Sequence, residues 1–315
     1  MKADRIERIL PSLNRLLEAC GLCGRRCGAN RLLNARGVCR TTSASPEHVR
    51  CSSHTLHFGE EPMLVGRGGS GTVFFTHCNL RCVFCQNHQI SQQGLGEDIG
   101  YKDLARIFLG LQDEGAENIN LVTPTHYIYP ILLALRDAYR DGLTVPLVYN
   151  TNGYDSVELL ALLDGIVDIY LPDMKYMDAA AAEHYSSAPQ YPEVAKAAIK
   201  EMYRQTGNVV LTRAVAKRGV IIRHLLLPNN LAGSYDFLLW LRDEGMTDVT
   251  LSLMSQYSPQ HRAHEFPELA TRISRNEYKE VVRFAVDLGF THLLTQGLDS
   301  SDLYLPDFQR EQPFG

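Results

Sequence analysis

"THCNLRCVFCQN", residues 76–87, follows directly on the apolar run "TVFF" (72–75). It sets Cys78, Cys82 and Cys85 in the order C-x3-C-x2-C. Thiolates this close are metal ligands before anything else, and a closed tetrahedral site would need a fourth. A cubane [4Fe–4S] cluster also takes four cysteines as a rule, so three leave one iron open. An open position is what separates a reactive metal from a structural one. The triplet comes just after a strand-like run, where a βα barrel presents its active-site loops.

Downstream, apolar runs alternate with helical patterns. Strands are expected at 72–75, 118–122, 146–150, 166–171, 219–227, 248–253 and 291–295. Between them Leu104, Ile107, Phe108 and Leu111 keep i, i+3, i+4, i+7 spacing, and similar faces recur near 131–140, 233–244 and 277–288. The runs are apolar throughout, as in parallel strands covered on both faces. Repeated βα units give a doubly wound sheet or a βα barrel, with function on loops at the C-terminal strand ends. "VVLTRAVAKRGVII" (209–222) reads as an added hairpin. "GRGGSG" (66–71) precedes its strand instead of following one, which makes it an entry loop and not a dinucleotide fingerprint.

The 315 residues allow one large domain with a small appendage. Hydrophobic residues make up 45% and charged residues 21%, an ordinary globular balance. A net charge of -5 without a long basic stretch excludes an extended nucleic-acid footprint. No run approaches the ~18 apolar residues of a membrane helix. "RIERILPSLNRLL" (5–17) spaces Ile6, Ile9, Leu10, Leu13 and Leu17 along a helical face interrupted by Pro11, which is not a signal pattern. A cytoplasmic protein is expected. Its eight cysteines then argue for metal or redox chemistry before disulfides. Five of them fall in residues 1–65, taken as a cysteine-rich region ahead of a barrel over 66–315.

The C-x3-C-x2-C stretch, its preceding strand and the βα units after it resemble the radical S-adenosylmethionine superfamily. The resemblance implies an α/β fold with a partial (β/α)6-type barrel, and a [4Fe–4S] cluster on Cys78, Cys82 and Cys85. S-adenosylmethionine would bind the open iron through its amino and carboxylate groups. An electron from a flavodoxin or ferredoxin would cleave it, and the resulting 5′-deoxyadenosyl radical would abstract hydrogen from substrate. "CNLRC" and Asn87 match the pattern "GCNLRC.WC.N" of activating enzymes of glycyl-radical enzymes, and His77 and Phe84 depart from it.

The same resemblance points to further cofactor contacts. Where the superfamily carries "GGEP" after its second strand, this chain has "LVTPTH" (121–126), so Thr123 and Thr125 stand in comparable positions beside His126. "YNTNGYD" (149–155) resembles the activase segment "DTNG" and offers Asn150 and Asn152, with Gly153 permitting close backbone approach. "LPDMKYMD" (171–178) is similar to "LDLK" and offers Asp173 and Lys175. "IIRHLLLPNN" (221–230) corresponds to "R..VVPG" and offers Arg223, with His224 beside it. The N-terminal cysteines and "INLVTPTH" resemble a group of relatives of pyruvate formate-lyase activating enzyme.

Cys20, Cys23, Cys27 and Cys39 suit a second metal site, either zinc or an auxiliary [4Fe–4S] cluster. Arg25 and Arg26 would offset its negative charge, and Cys51 is left as a core residue. The leading expectation is hydrogen abstraction from an unidentified substrate. Activation of a glycyl-radical enzyme, with a protein substrate, is the alternative. It ranks second because the extra cysteines precede the radical motif, and because "QYSPQHRAHEFPEL" (256–269) reads as a lid over another substrate. A reading of a different class is an electron carrier or scaffold that holds iron–sulfur or zinc without cleaving a cofactor.

Overall fold

The alternation of apolar runs and helical faces becomes one ten-stranded sheet in the computed structural model, which describes residues 1–41, 43–297, 305–310 and 313–314. In chain order the strands are β1 (His48–His57), β2 (Ser70–Phe75), β3 (Glu97–Gly100), β4 (Ile119–Val122) and β5 (Leu147–Thr151). They continue with β6 (Ile169–Pro172), β7 (Val210–Thr212), β8 (Val215–Leu225), β9 (Thr250–Met254) and β10 (Leu293–Thr295). The order across the sheet is β10-β9-β8-β6-β5-β4-β2-β1-β3, with β7 hairpinned onto β8. Every pairing from β2 to β10 along this path is parallel, and β1 runs antiparallel to both β2 and β3. All seven expected strands are present.

Spatial order that follows chain order keeps right-handed crossovers winding one way, so the helices collect on one face. The other face must close on itself. It does so as a partial barrel: side chains of β4, β5, β8 and β9 and the loop after β2 line a single cavity. Alternation along each strand divides two cores. Val148, Ile169, Leu171 and Ile221 point inward, around Leu64 of the short helix Pro62–Val65. Tyr149, Tyr170, Val220 and Ile222 point outward into the larger core under the helices.

The four expected helical faces become Tyr101–Asp113, Ile128–Arg140, Ser234–Asp243 and Arg275–Asp287. Val157–Leu163, Ala179–Ser186 and Tyr191–Thr206 are further helices. The last buries Ala195, Ala198, Ile199 and Met202, a face carried half by alanine and so weak as a pattern. Lys2–Glu18 is one helix running through Pro11, which lies on its exposed side, and it buries Ala3, Ile6, Leu13 and Leu17. It packs on Ile128–Arg140 and Val157–Leu163, while β1 extends the sheet, so segments before residue 66 enter both layers. No helix among the described residues is long and apolar enough to cross a membrane.

On β8, alternation turns Arg223 inward and its neighbour His224 outward into the core. His224 Nδ1 lies 2.7 Å from the Met174 carbonyl and Nε2 lies 2.8 Å from Ser234 Oγ. A carbonyl only accepts, so Nδ1 carries the proton and Nε2 accepts from the hydroxyl. Burial pushes His224 down from 6.5 to about 4. With the folded value depressed, the stability of the neutral ring is complete above the unfolded value and is lost as pH falls towards about 4. The gap corresponds to roughly 3 kcal/mol. Buried His126, at about 3, and His77, at about 4, act in the same direction. Urea midpoints should therefore fall between pH 6.5 and 4, and His224→Gln should flatten that fall. Parallel pH profiles for the variant and the wild type would refute the assignment.

Candidate functional site

After Phe75 the chain leaves β2 through His77, whose φ of 65° is in the left-handed region. Glycine adopts that conformation without strain, which gives a physical reason for the glycine that the activase pattern has here. The turn delivers Cys78, Cys82 and Cys85 to one cavity of about 220 Å³. Asn152 Nδ2 stands 3.3 Å from Cys78 Sγ, and the Leu80 N–H stands 3.4 Å from it. Ser186 Oγ donates to Cys82 Sγ at 3.0 Å, and Ser91 Oγ lies 3.1 Å from Cys85 Sγ. Burial, with the charge of Cys82 adding to it, pushes the Cys78 thiol up to about 11 and Cys85 to about 12. Lys175 pulls both the other way. Phe84 packs edge-on against Tyr257 and Tyr176, with ring centroids 5.7 and 6.4 Å away.

The same cavity is also lined by Thr123, Asn150, Asn152, Asp173, Lys175 and Arg223. Asp173 accepts from Arg223 Nε at 2.8 Å and from Lys175 Nζ at 2.7 Å. Arg223 Nη2 donates to Asn150 Oδ1 at 2.7 Å. Burial alone would raise the Asp173 carboxyl, but Arg223 and Lys175 outweigh it and hold the group below its usual range. For Lys175, burial opposes the charge, and Asp173 and Cys82 restore it and raise its pKa. Gly153 has a φ of 78°, and a Cβ there would collide with the Asp173 carbonyl. The loop after β5 thus lies directly against the strand end of β6.

Thr123 takes a φ of 56° and donates its N–H to the Asn150 carbonyl at 2.8 Å. For a β-branched residue this is a strained conformation. It turns the following residues away from the cavity, and neither Thr125 nor His126 lines it. Thr125 Oγ1 donates to the buried Asp155 at 2.7 Å, which Tyr149 OH and Thr151 also serve. His126 Nε2 lies 2.8 Å from the Thr76 carbonyl, and its Nδ1 has no hydrogen-bond partner among the described residues.

The N-terminal cysteine loop docks beside this site. Gly24 N donates to the Tyr154 carbonyl and Ser156 N to the Leu22 carbonyl, both at 3.1 Å, so the loop is paired to the segment that carries Asn152. Arg31, and neither of the two expected arginines, meets the thiols: its Nη2 is 2.7 Å from Cys39 Sγ and it also bonds Cys20. Arg25 instead ties the loop to the Asn79 and Ser186 carbonyls at 2.8 and 3.3 Å, and Arg26 pairs with Glu158 at 2.7 Å. Burial raises Cys20, and takes Cys23 to about 12. For Cys27, burial is outweighed by the Ala29 and Val38 amides and by Arg31, so its thiol is lowered. Among the described residues no three His, Cys, Asp or Glu side chains converge closely enough for a single metal ion. Cys51 lies in β1 opposite Phe75, with burial pushing its thiol to about 12.

Several residues of the site carried no readable signal. Asn79 Oδ1 accepts from Asn152 Nδ2 at 2.6 Å, and its side chain lies near enough to Cys23 to favour the thiolate. Glu60 Oε2 lies 3.7 Å from Arg223 Nη1. It belongs to "GEEP" (59–62), upstream of the first parallel strand, where nothing in the sequence directs it to the barrel mouth. Because Arg223 and Asp173 are buried together, Arg223→Ala and Asp173→Ala should each cost about 3–5 kcal/mol by leaving the partner uncompensated. The double variant should fall short of their sum by about 1–3 kcal/mol in reversible denaturation. Additive losses would show that the pair is not coupled.

Residues 72–225 match the Radical SAM superfamily. Uncharacterized protein MJ0674 of Methanocaldococcus jannaschii is 32% identical over 279 residues, 86% of this chain and 75% of that protein. The crystal structure of Streptococcus suis SuiB bound to precursor peptide SuiA is similar at a TM-score of 0.47 and 14% identity. That similarity covers 73% of this chain and 49% of the other, so the chain spans about half the length of the solved protein. Residues 72–225, which hold the three cysteines and the parallel strands from β2 to β8, are thus a Radical SAM superfamily domain.

Proposed function

We propose that the protein is a radical S-adenosylmethionine enzyme that abstracts hydrogen from a substrate. The observation that carries this reading is the single cavity lined both by three thiols and by Asp173, Lys175, Arg223 and two asparagines. The donor set fits the cluster that the superfamily implies. Three thiols face one space, each with a hydrogen-bonding group beside its sulfur, and Lys175 favours the thiolates. Cys78, Cys82 and Cys85 would hold a [4Fe–4S] cluster, and S-adenosylmethionine would lie against Thr123, Asn150, Asn152, Asp173, Lys175 and Arg223. When bound, the pair supplies one-electron cleavage of a sulfonium and, from it, hydrogen abstraction.

The remaining work falls to the chain. Asp173, Lys175 and Arg223 present charges of both signs to the zwitterionic end of an amino acid. Asn152 orients the Cys78 sulfur, and Ser186 does the same for Cys82. Residues 256–269 cover the cysteine loop: Arg262 N donates to the Val83 carbonyl at 2.8 Å, and Gln86 Nε2 to the Gln256 carbonyl at 2.9 Å. Tyr185 OH adds a bond to Glu268 at 2.6 Å. Such a cover keeps water from a reactive intermediate. A flavodoxin or ferredoxin would deliver the electron.

Activation of a glycyl-radical enzyme is the second reading, favoured by the activase-like "NTNG" loop that places Asn152 on Cys78. The cover over the cysteine loop ranks it below another substrate. A glycyl doublet in electron paramagnetic resonance, dependent on S-adenosylmethionine and a glycyl-radical partner, would reverse that order.

After anaerobic reconstitution and dithionite reduction, Cys78→Ala, Cys82→Ala and Cys85→Ala should each abolish 5′-deoxyadenosine formation and lose the cluster's visible absorbance. Wild-type turnover by any of them would refute the ligand assignment. We further propose that Cys20, Cys23, Cys27 and Cys39 hold a separate zinc ion or auxiliary cluster, supported by the electrostatic interactions that link the four thiols pairwise and by Arg31, which acts on Cys20, Cys27 and Cys39. Cys39→Ser should lower zinc or iron content or thermal stability while the first cluster still assembles. A variant lacking Cys78, Cys82 and Cys85 that retained neither metal would rule this site out.

A further inference from the structure

Two of the three ligand sulfurs face a serine hydroxyl, and the groups behind those hydroxyls fix where their protons point. Ser186 Oγ lies 3.0 Å from Cys82 Sγ, and Ser91 Oγ lies 3.1 Å from Cys85 Sγ. A serine has one hydroxyl proton to give, so its other partner decides its direction. Behind Ser186 stands Tyr176 OH at 2.8 Å, a fully buried phenol. Behind Ser91 stands Gln92 Nε2 at 3.3 Å, and an amide nitrogen only donates. The Gln92 carboxamide is held this way round. Arg81 Nη1 donates to its Oε1 at 3.4 Å, and Nε2 also donates to the Leu80 carbonyl at 3.3 Å. A thiolate sulfur only accepts. The arrangement that satisfies every group runs from Tyr176 through Ser186 to Cys82, and from Gln92 through Ser91 to Cys85.

Both serines are buried and backed by main-chain bonds. The Arg81 N–H donates to the Ser186 carbonyl at 3.1 Å and the Val83 N–H to the Tyr185 carbonyl at 2.9 Å. The end of the helix Ala179–Ser186 is thus paired to the cysteine loop itself. Ser91 closes the short helix His88–Ser91, and its N–H donates to the Asn87 carbonyl at 2.9 Å. Cys78 is met at longer range, by Asn152 Nδ2 at 3.3 Å and the Leu80 N–H at 3.4 Å.

We propose that Ser186 and Ser91 are positioning residues that raise the reduction potential of the cluster on Cys78, Cys82 and Cys85, each by holding a hydroxyl proton on a ligand sulfur. The inference rests on the enzyme reading above, which places that cluster. An added electron puts more negative charge on the sulfurs, so a hydrogen bond there stabilises the reduced state more than the oxidised one. Burial strengthens the bond, and a donor behind the hydroxyl polarises it further. The two relays make the cluster easier to reduce for the external carrier that the reaction requires.

Wild type, Ser186→Ala, Ser91→Ala, Tyr176→Phe and the Ser186→Ala/Tyr176→Phe double variant would be reconstituted anaerobically and titrated with reductant. Electron paramagnetic resonance of the reduced cluster reads the midpoint. No iron ligand changes, so iron content should stay at the wild-type level while the midpoint moves to lower potential in every variant. Tyr176→Phe should move it less than Ser186→Ala. The double variant should move it no further than Ser186→Ala, because Tyr176 acts only through the serine. Midpoints unmoved or raised in the two alanine variants would overturn the proposal. A Tyr176→Phe shift that added in full to that of Ser186→Ala would overturn the Tyr176 relay. Should Ser186→Ala fail to hold the cluster, Ser91→Ala and Tyr176→Phe carry the test. A wild-type protein that assembles no cluster on these cysteines would defeat the enzyme reading and this inference with it. Midpoints that shift as expected in a protein that never forms 5′-deoxyadenosine would support the relays and defeat the enzyme reading alone.

Discussion

A guanidinium enclosed at the mouth of the sheet, that of Arg223, sets the arrangement of everything around it. Removing such a charge from water costs several kcal/mol unless acceptors replace the lost hydration. The planar fork of arginine can take several at once, in fixed directions. Here they come from three separate segments: Asn150 at the end of β5, Asp173 just past β6, and Glu60 from the stretch ahead of β2. Each segment is thereby located against β8. Asp173 then holds Lys175, and Lys175 acts on the buried thiols. Charges of alternating sign run from Glu60 to the cysteines.

What was legible in the sequence followed from burial. The parallel strands are covered on both faces, so their runs are apolar without interruption and stand out. β1 and β3 do not: "HVRCSSHTLH" mixes polar and apolar residues, and "EDIG" is short and partly exposed at the sheet edge. Thr123, Asn150, Asn152, Asp173 and Lys175 were readable as neighbours because each lies at or just past the C-terminal end of a parallel strand. Thr125 and His126 follow the same strand as Thr123, yet a left-handed residue intervenes and reverses where they point. Such a conformation is not signalled by threonine, which seldom adopts it. Glu60 was invisible for another reason: only the closing of the barrel brings it to the mouth.

The hydrogen bonds to sulfur show how the cysteine loop depends on distant chain. Cys78 is met by Asn152 from the loop after β5, and Cys82 by Ser186 from the end of the helix Ala179–Ser186. Ser186 in turn lies 2.8 Å from Tyr176 OH, a buried phenol that has the hydroxyl's other site. Since Ser186 donates to sulfur, it accepts from Tyr176. Donors of this kind make a thiolate less costly in a dry cavity, and they fix where each sulfur stands.

The N-terminal cysteine loop shares that frame instead of hanging from it. Leu22 and Gly24 pair with Ser156 and Tyr154, the backbone just after Asn152. Arg25 grips the carbonyls of Asn79 and Ser186, two residues whose side chains meet Cys78 and Cys82. The Asn79 carboxamide then bonds Asn152 and favours the thiolate of nearby Cys23. A metal bound at the N-terminal thiols would have to order this loop, and ordering it fixes Asn152 and Asn79 against Cys78. The two cysteine groups are therefore mechanically coupled through side chains that belong to neither.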